Sequence, residues 1–198
     1  MLTIIGPLII FLLPLAYSPG PGNLFFAANG ARFGFRATIP ANIGYHIATW
    51  AVTVGIGFGF LAVMDRLPQI FAALKVVGSL YVLWLGWKMI RASALRNGGE
   101  ARPASFIDGM MLLILNPKAY VIMALMFTQF LDRSQGGQIA AIVIIATIFT
   151  LNNLVAFSLW AVTGDAIAAR FRNADSARRM NATFGVVLAG VAVWMLVS

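Results

Sequence analysis

Cysteine is absent from the 198 residues. No disulfide, thiol nucleophile, iron–sulfur centre or CxxC redox pair can be built, which excludes thiol-based membrane electron carriers. Histidine occurs once, at His46, and no second His, Cys or close carboxylate cluster accompanies it, so a metal site has no ligand set. Charge is nearly as scarce: 10% of residues are Asp, Glu, Lys or Arg, against roughly 25% in an ordinary soluble domain. A water-soluble fold of this composition would lack a polar surface. Acids are the rarest charges, 6 against 14 bases.

What the chain does have is apolar length. Hydrophobic residues make up 61%, and no charge falls in 1–31, 37–64, 134–164 or 180–198. Each stretch reaches the roughly 18 to 20 residues that a bilayer-spanning helix needs. The pattern predicts an all-α integral membrane protein with six transmembrane helices, near 2–28, 38–64, 67–90, 106–131, 138–161 and 180–197. The first run has no basic leader, exceeds the length of a signal-peptide core and precedes no soluble domain, so it is expected to stay as a permanent span.

The basic excess does not point to nucleic acid, because it sits in short loops between apolar spans. Arg32 and Arg36 lie in the first loop, Lys88, Arg91, Arg96 and Arg102 in the third, and Arg170, Arg172, Arg178 and Arg179 in the fifth. The second and fourth carry only Arg66 and Arg133. The positive-inside rule then puts loops one, three and five in the cytoplasm of a bacterial inner membrane, with both termini outside, in the periplasm. The connection 91–105, with Asn97, Gly98, Gly99 and Pro103, divides one transmembrane domain, 1–198, into repeats at 1–97 and 103–198. Each repeat has three helices, an odd number, so the two are inverted relative to each other, as in many secondary transporters.

The first and fourth helices are expected to be broken at matching places, at Pro19-Gly20-Pro21-Gly22-Asn23 and at Asn116-Pro117-Lys118, about 97 residues apart. Proline removes an N–H donor and leaves carbonyls without partners. Lipid tolerates this only where protein or water satisfies those groups. Paired interruptions of this kind point to a transporter's binding site, where a half-helix N-terminus faces the substrate.

Three segments carry a resemblance. They are Ser18-Pro19-Gly20-Pro21-Gly22-Asn23 with Gly30 and Gly34 after it, the run from Leu74-Lys75-Val76 through Trp84-Leu85-Gly86-Trp87, and Phe106 and Gly109 leading to Asn116-Pro117-Lys118-Ala119. At these spacings the chain resembles the LysE/RhtB family of amino-acid exporters over most of its length. The resemblance implies a proton-motive-force-driven exporter of amino acids or close derivatives, an antiporter without a cofactor. The family usually carries an acidic or amide residue where this chain has Gly22, which leaves Asn23 as the side-chain ligand there.

The residues divide between binding and coupling. Ser18, Pro19, Gly20, Pro21, Asn23, Asn116, Pro117 and Lys118 are the expected substrate-binding set. An ammonium at the middle of a span costs roughly 2.5 to 3.5 kcal/mol. Lys118 therefore pairs with a substrate carboxylate, or loses and regains a proton during the cycle, or donates to carbonyls at the Pro19 and Pro117 breaks. Asp108 is a proton-coupling candidate or a helix cap, and it lies about 15 Å from Lys118 along a straight helix, too far to pair with it. His46 is a relay candidate by its chemistry or a packing histidine. Tyr17, Asn42, Asn152 and Asn153 are secondary lining candidates, interhelical hydrogen bonding being the alternative. Gly30 with Gly34, and Gly55 with Gly59, form GxxxG pairs that predict close helix packing, within one copy or between copies of a homo-oligomer.

The expected activity is export of amino acids, with a lean toward neutral ones because acids are scarce at depth: Asp65, Asp132 and Asp165 fall at span ends, and Glu100 and Asp175 in loops. The expected partners are the amino-acid substrate, protons and the lipid bilayer. A non-transporting membrane scaffold, or an exporter of a metal cation or drug, remains the alternative. An enzyme is not expected, since no nucleophile is paired with a base.

Overall fold

The computed structural model describes residues 4–63, 102–131 and 137–170, with isolated helical positions between 76 and 87 and between 179 and 193. The third and sixth expected spans, 67–90 and 180–197, lie largely outside the described residues, as do Lys75, Asp65, Asp132 and the loop 91–101. Among the described residues there are six helices and no strand: α1 (Ile5–Tyr17), α2 (Pro21–Phe33), α3 (Phe35–Val63), α4 (Phe106–Ile114), α5 (Pro117–Phe130) and α6 (Gln138–Arg170).

Local chemistry sets the helix ends. α2 and α5 each open on a proline at their first position, where the missing N–H would have had no partner anyway. α2 stops at Gly34, whose φ of 83° lies in the left-handed region that an L side chain resists. The next helix starts one residue later: the Phe35 N–H donates to Asp165 Oδ2 at 2.9 Å, so a carboxylate from α6 caps α3. α4 opens on a capping box in which the Ser105 hydroxyl accepts from the Asp108 N–H and Asp108 Oδ2 accepts from the Ser105 N–H at 2.8 Å.

Two consecutive pairs, α1 with α2 and α4 with α5, are each bent by 61° at a short break. Each pair has the length and apolarity of one membrane span, and α6 has them alone over Gln138–Ala169. The breaks are shorter than the sequence suggests. Pro21, Gly22 and Asn23 already belong to α2, and Pro117 and Lys118 to α5. The irregular residues are therefore 18–20 and 115–116. α6 also runs nine residues past the expected end at 161.

That extension has a packing reason. α2 and α6 run side by side in register: Phe26 meets Phe157 with ring centroids 5.2 Å apart, a methyl on Gly30 would strike the Ala161 carbonyl, and one on Gly34 would lie 3.8 Å from Asp165 Oδ2. The approach is reciprocal, since a methyl on Gly164 would strike the Ala27 carbonyl. α3 and α4 repeat the device, with Gly44 on the Phe106 carbonyl and Gly109 on the Ala41 carbonyl. Missing side chains let backbones touch, which is how helices associate where burial from water supplies no drive. Of Gly30, Gly34 and Gly55 in the two expected GxxxG pairs, Gly30 alone is used in this way among the described residues. Gly34 is a helix stop, and Gly55 faces open space among the described residues, while its neighbour Gly57 packs on Ile142 and Phe127.

The interior is filled by Leu8, Leu12, Phe26, Tyr45, Met123, Phe127 and Phe149, all at or near zero exposure. Large apolar side chains also cover the outside, among them Ile10, Ile47, Trp50, Val121, Leu151 and Leu159. An outward apolar coat around a packed core fits a bilayer environment.

Candidate functional site

The two breaks face each other in the middle of the bundle. Where α1 stops, its last carbonyls lose their intrahelical donors, and the structure supplies one to each. Pro14 O accepts from the Ser18 N–H at 3.2 Å, Leu15 O from the Ser18 hydroxyl at 3.2 Å and Ala16 O from Asn23 Nδ2 at 2.8 Å. Tyr17 O accepts from Trp160 Nε1 at 3.2 Å, and Ser18 O from Lys118 Nζ at 3.0 Å. Lys118 also donates to the Ser18 hydroxyl oxygen at 2.9 Å. The lysine of the second break thus closes the first. Gly20 makes room for it: a Cβ there would lie 2.9 Å from Lys118 Nζ and 3.0 Å from its Cδ.

The second break is treated in the same way. Leu113 O accepts from the Asn116 N–H at 2.9 Å, and Ile114 O from the Tyr120 hydroxyl at 3.0 Å. The Asn116 side chain points inward and donates through Nδ2 to the Tyr45 hydroxyl oxygen at 3.0 Å, leaving its Oδ1 buried and without a donor among the described residues.

Tyr45 anchors a small polar and aromatic cluster. Its ring lies 4.8 Å from Phe157 and 5.2 Å from His46, and Asn153 of α6 approaches both Tyr45 and His46. His46 Nδ1 sits 2.7 Å from the Asn42 carbonyl oxygen. A carbonyl only accepts, so Nδ1 carries the proton in the neutral ring and Nε2 is a bare acceptor. Nε2 is buried with no partner among the described residues, as is Asn42 Oδ1. The Asn42 amide nitrogen donates to the Ser158 hydroxyl oxygen at 3.3 Å.

The expected binding residues therefore separate into roles. Ser18, Gly20, Asn23, Asn116 and Lys118 meet at the breaks, while Pro19 lies exposed on the outside of the bend and Pro21 and Pro117 start helices. Asn42, His46 and Asn153 join the cluster on Tyr45. Tyr17 contributes a carbonyl, and Asn152 has a buried amide nitrogen with no partner among the described residues. Asp108 is not in this group: it sits in the capping box of α4, 3.6 Å from Arg102. Sequence reasoning missed Trp160, Phe157 and Tyr120. Their only signal is polar or aromatic character on helices whose facing side periodicity alone does not reveal.

First-turn amides of a helix have no intrahelical acceptor. In α2 the Leu24 N–H is the first to find one, at Gly20 O, 3.0 Å away. Pro21 has no N–H, so the amides of Gly22 and Asn23 remain for an outside acceptor. Lys118 lies beside this turn, at Gly20, with Asn116 two residues before it, and across the Phe157 ring stand the buried acceptors of Asn42 and His46. This set can receive a carboxylate on one side and an ammonium on the other.

Known proteins resemble this chain along most of its length. The chain is 31% identical over 185 residues to a cysteine/O-acetylserine efflux protein of Salmonella choleraesuis, covering 90% of each chain. It is 27% identical over 181 residues to a leucine efflux protein of Enterobacter sp. (strain 638), covering 88% of this chain and 86% of that one. It is 28% identical over 182 residues to a homoserine/homoserine lactone efflux protein of Salmonella typhimurium, covering 86% and 85%. No solved structure matches significantly. The family described as LysE type translocator matches residues 13–198, nearly the whole chain. The protein belongs to the LysE type translocators, a family of multi-pass membrane transporters and not of enzymes.

Proposed function

We propose that this protein exports neutral amino acids or close derivatives from the cytoplasm across the bacterial inner membrane by proton antiport. The observation that carries the reading is the meeting of the two breaks through Lys118 and Ser18, next to the first-turn amides of α2 and to Asn116, whose buried Oδ1 has no partner among the described residues. A scaffold subunit has no need of such a site. The efflux activities named for the relatives, on leucine, cysteine, O-acetylserine and homoserine, support the substrate class. These substrates carry no net side-chain charge.

In the proposed cycle the substrate carboxylate meets the Gly22 and Asn23 amides and the Lys118 ammonium, which leaves Ser18 O to follow it. The substrate ammonium is received by Asn116 Oδ1 and neighbouring acceptors. His46 Nε2, a buried base without a donor, takes the coupling proton. Asp108 acts as a cap rather than a carrier. The paired 61° bends, about 97 residues apart, support two inverted three-helix repeats with broken first and fourth spans. Both termini are then periplasmic, as the loop charges indicate.

The test uses cells lacking their own exporters, loaded with labelled neutral dipeptides and expressing this chain. Free amino acids are followed in the medium with and without a protonophore. Protonophore-sensitive efflux is expected. Absence of efflux over a broad amino-acid panel, with insertion verified, overturns the reading.

A further inference from the structure

Phe157 has no hydrogen-bonding group and sits at the first break, against Gly22. It is 3% exposed. Its ring is surrounded by Gly22, Phe26, Tyr45 and His46, with centroids 5.2 Å from Phe26, 4.8 Å from Tyr45 and 5.5 Å from His46. It therefore stands between the first turn of α2 and the polar residues of α3. The contact with Gly22 is the informative one: a Cβ built on Gly22 lies 2.7 Å from Phe157 Cε2 and closer still to Cζ. Residue 22 and the Phe157 ring claim the same volume. Whatever polar group a side chain at 22 would place beside the α2 amides is replaced by an aromatic face.

Helix packing holds the ring there. Phe157 is one turn before Ala161 and two before Asp165, on the stripe of α6 that runs in register with Phe26, Gly30 and Gly34. Backbone contact at Gly30 and Gly164 fixes the separation of the two helices, so the ring cannot retreat by moving α6 as a body.

We propose that Phe157, seated on Gly22, is a specificity-determining residue of the transport site. The proposal rests on the exporter reading above and deepens it. A substrate held by its carboxylate at the Gly22 and Asn23 amides has its side chain within one residue's reach of the Phe157 ring. An aromatic wall favours apolar side chains such as that of leucine over hydroxylated ones such as those of threonine or homoserine, because it offers a hydroxyl no partner in exchange for its water.

The experiment measures leucine and threonine efflux in the same exporter-deficient cells, normalised to inserted protein, for the wild type and for Phe157→Leu, Phe157→Asn, Gly22→Ala and the double variant Gly22→Ala/Phe157→Ala. The wild type is expected to prefer leucine, and Phe157→Leu to keep that preference. Phe157→Asn should lower the leucine-to-threonine ratio about tenfold, the low end of what an apolar pocket contact contributes to discrimination. Gly22→Ala alone should lose efflux of both, and the double variant should regain it, because the two positions compete for one space. A purely structural role for Phe157 would lower both substrates together, and an unchanged ratio in Phe157→Asn overturns the inference alone. No efflux of either substrate from the inserted wild type overturns the exporter reading and the inference with it.

Discussion

Lys118 gives the sharpest quantitative test of the site. Replacing it with methionine keeps a flexible apolar stem of similar volume but removes the donor that reaches Ser18 O at 3.0 Å and Ser18 Oγ at 2.9 Å. The hydroxyl keeps its own bond to Leu15 O. Among the described residues no other donor reaches the Ser18 carbonyl: Pro19 and Pro21 have no N–H, the Leu24 N–H is engaged by Gly20 O, and the Gly22 and Asn23 amides do not bond it in the structure. A half-buried carbonyl left without a donor costs about 1–3 kcal/mol, and a hydrogen bond from a charged donor contributes about the same. A destabilisation near 2 kcal/mol is therefore expected, read as a melting temperature several degrees lower in detergent. If the same contact orders the break for transport, efflux falls by about 30-fold, the equivalent of that free energy.

Lys118→Gln separates the two roles of this lysine. Its amide still donates, so part of the stability should return, while the positive charge that meets a carboxylate does not. Recovery of stability without recovery of efflux is the expected pair of results. Wild-type stability together with wild-type efflux in Lys118→Met would refute the reasoning, since the contact would then hold nothing together.

Two further outcomes follow from the helix contacts. Gly30→Ala drives a methyl into the Ala161 carbonyl and should cost at least about 1–3 kcal/mol, seen as a large loss of folded protein, whereas Gly55→Ala, which meets nothing within 4 Å, should melt like the wild type. Asp108→Ala removes one half of the capping box and should cost about 1 kcal/mol while efflux persists; lost efflux at unchanged stability would make Asp108 a proton carrier instead.

The local features of this fold were legible in the sequence and the reciprocal ones were not. Charge-free stretches located the spans seen over α1 with α2 and over α6, because desolvating a charge is expensive wherever the chain meets lipid. Pro19, Pro21 and Pro117 placed the breaks because a missing N–H acts on its own helix. The end of the fifth expected span was wrong, since α6 continues through Gly164 and Asp165: hydropathy registers the face toward lipid and not the face seated on α2. Gly55 belonged to a motif yet meets nothing within 4 Å, while close backbone contacts are made at Gly30, Gly44, Gly109 and Gly164. A backbone crossing needs a matching partner on another helix, and one strand of sequence carries only half of that match. The same limit hid Trp160 and Tyr120, whose donors close carbonyls 143 and 6 residues away.

The two sides of the first break are treated differently, and this bears on how the site works. Every carbonyl from Pro14 to Ser18 has a protein donor, whereas the Gly22 and Asn23 amides have no carbonyl that helix geometry can give them. The break therefore withholds its negative end and offers its positive one. On the proposed reading the carboxylate is recognised first, by groups already in place. The ammonium is recognised by side-chain acceptors, because among the described residues the only backbone carbonyl of this break that a charged side chain covers is Ser18 O. When Lys118 turns from Ser18 O to a carboxylate, that carbonyl is released as a further acceptor for the ammonium of the same molecule. One movement then completes both halves of a zwitterion site, which ties the order of binding to the single contact joining the two breaks.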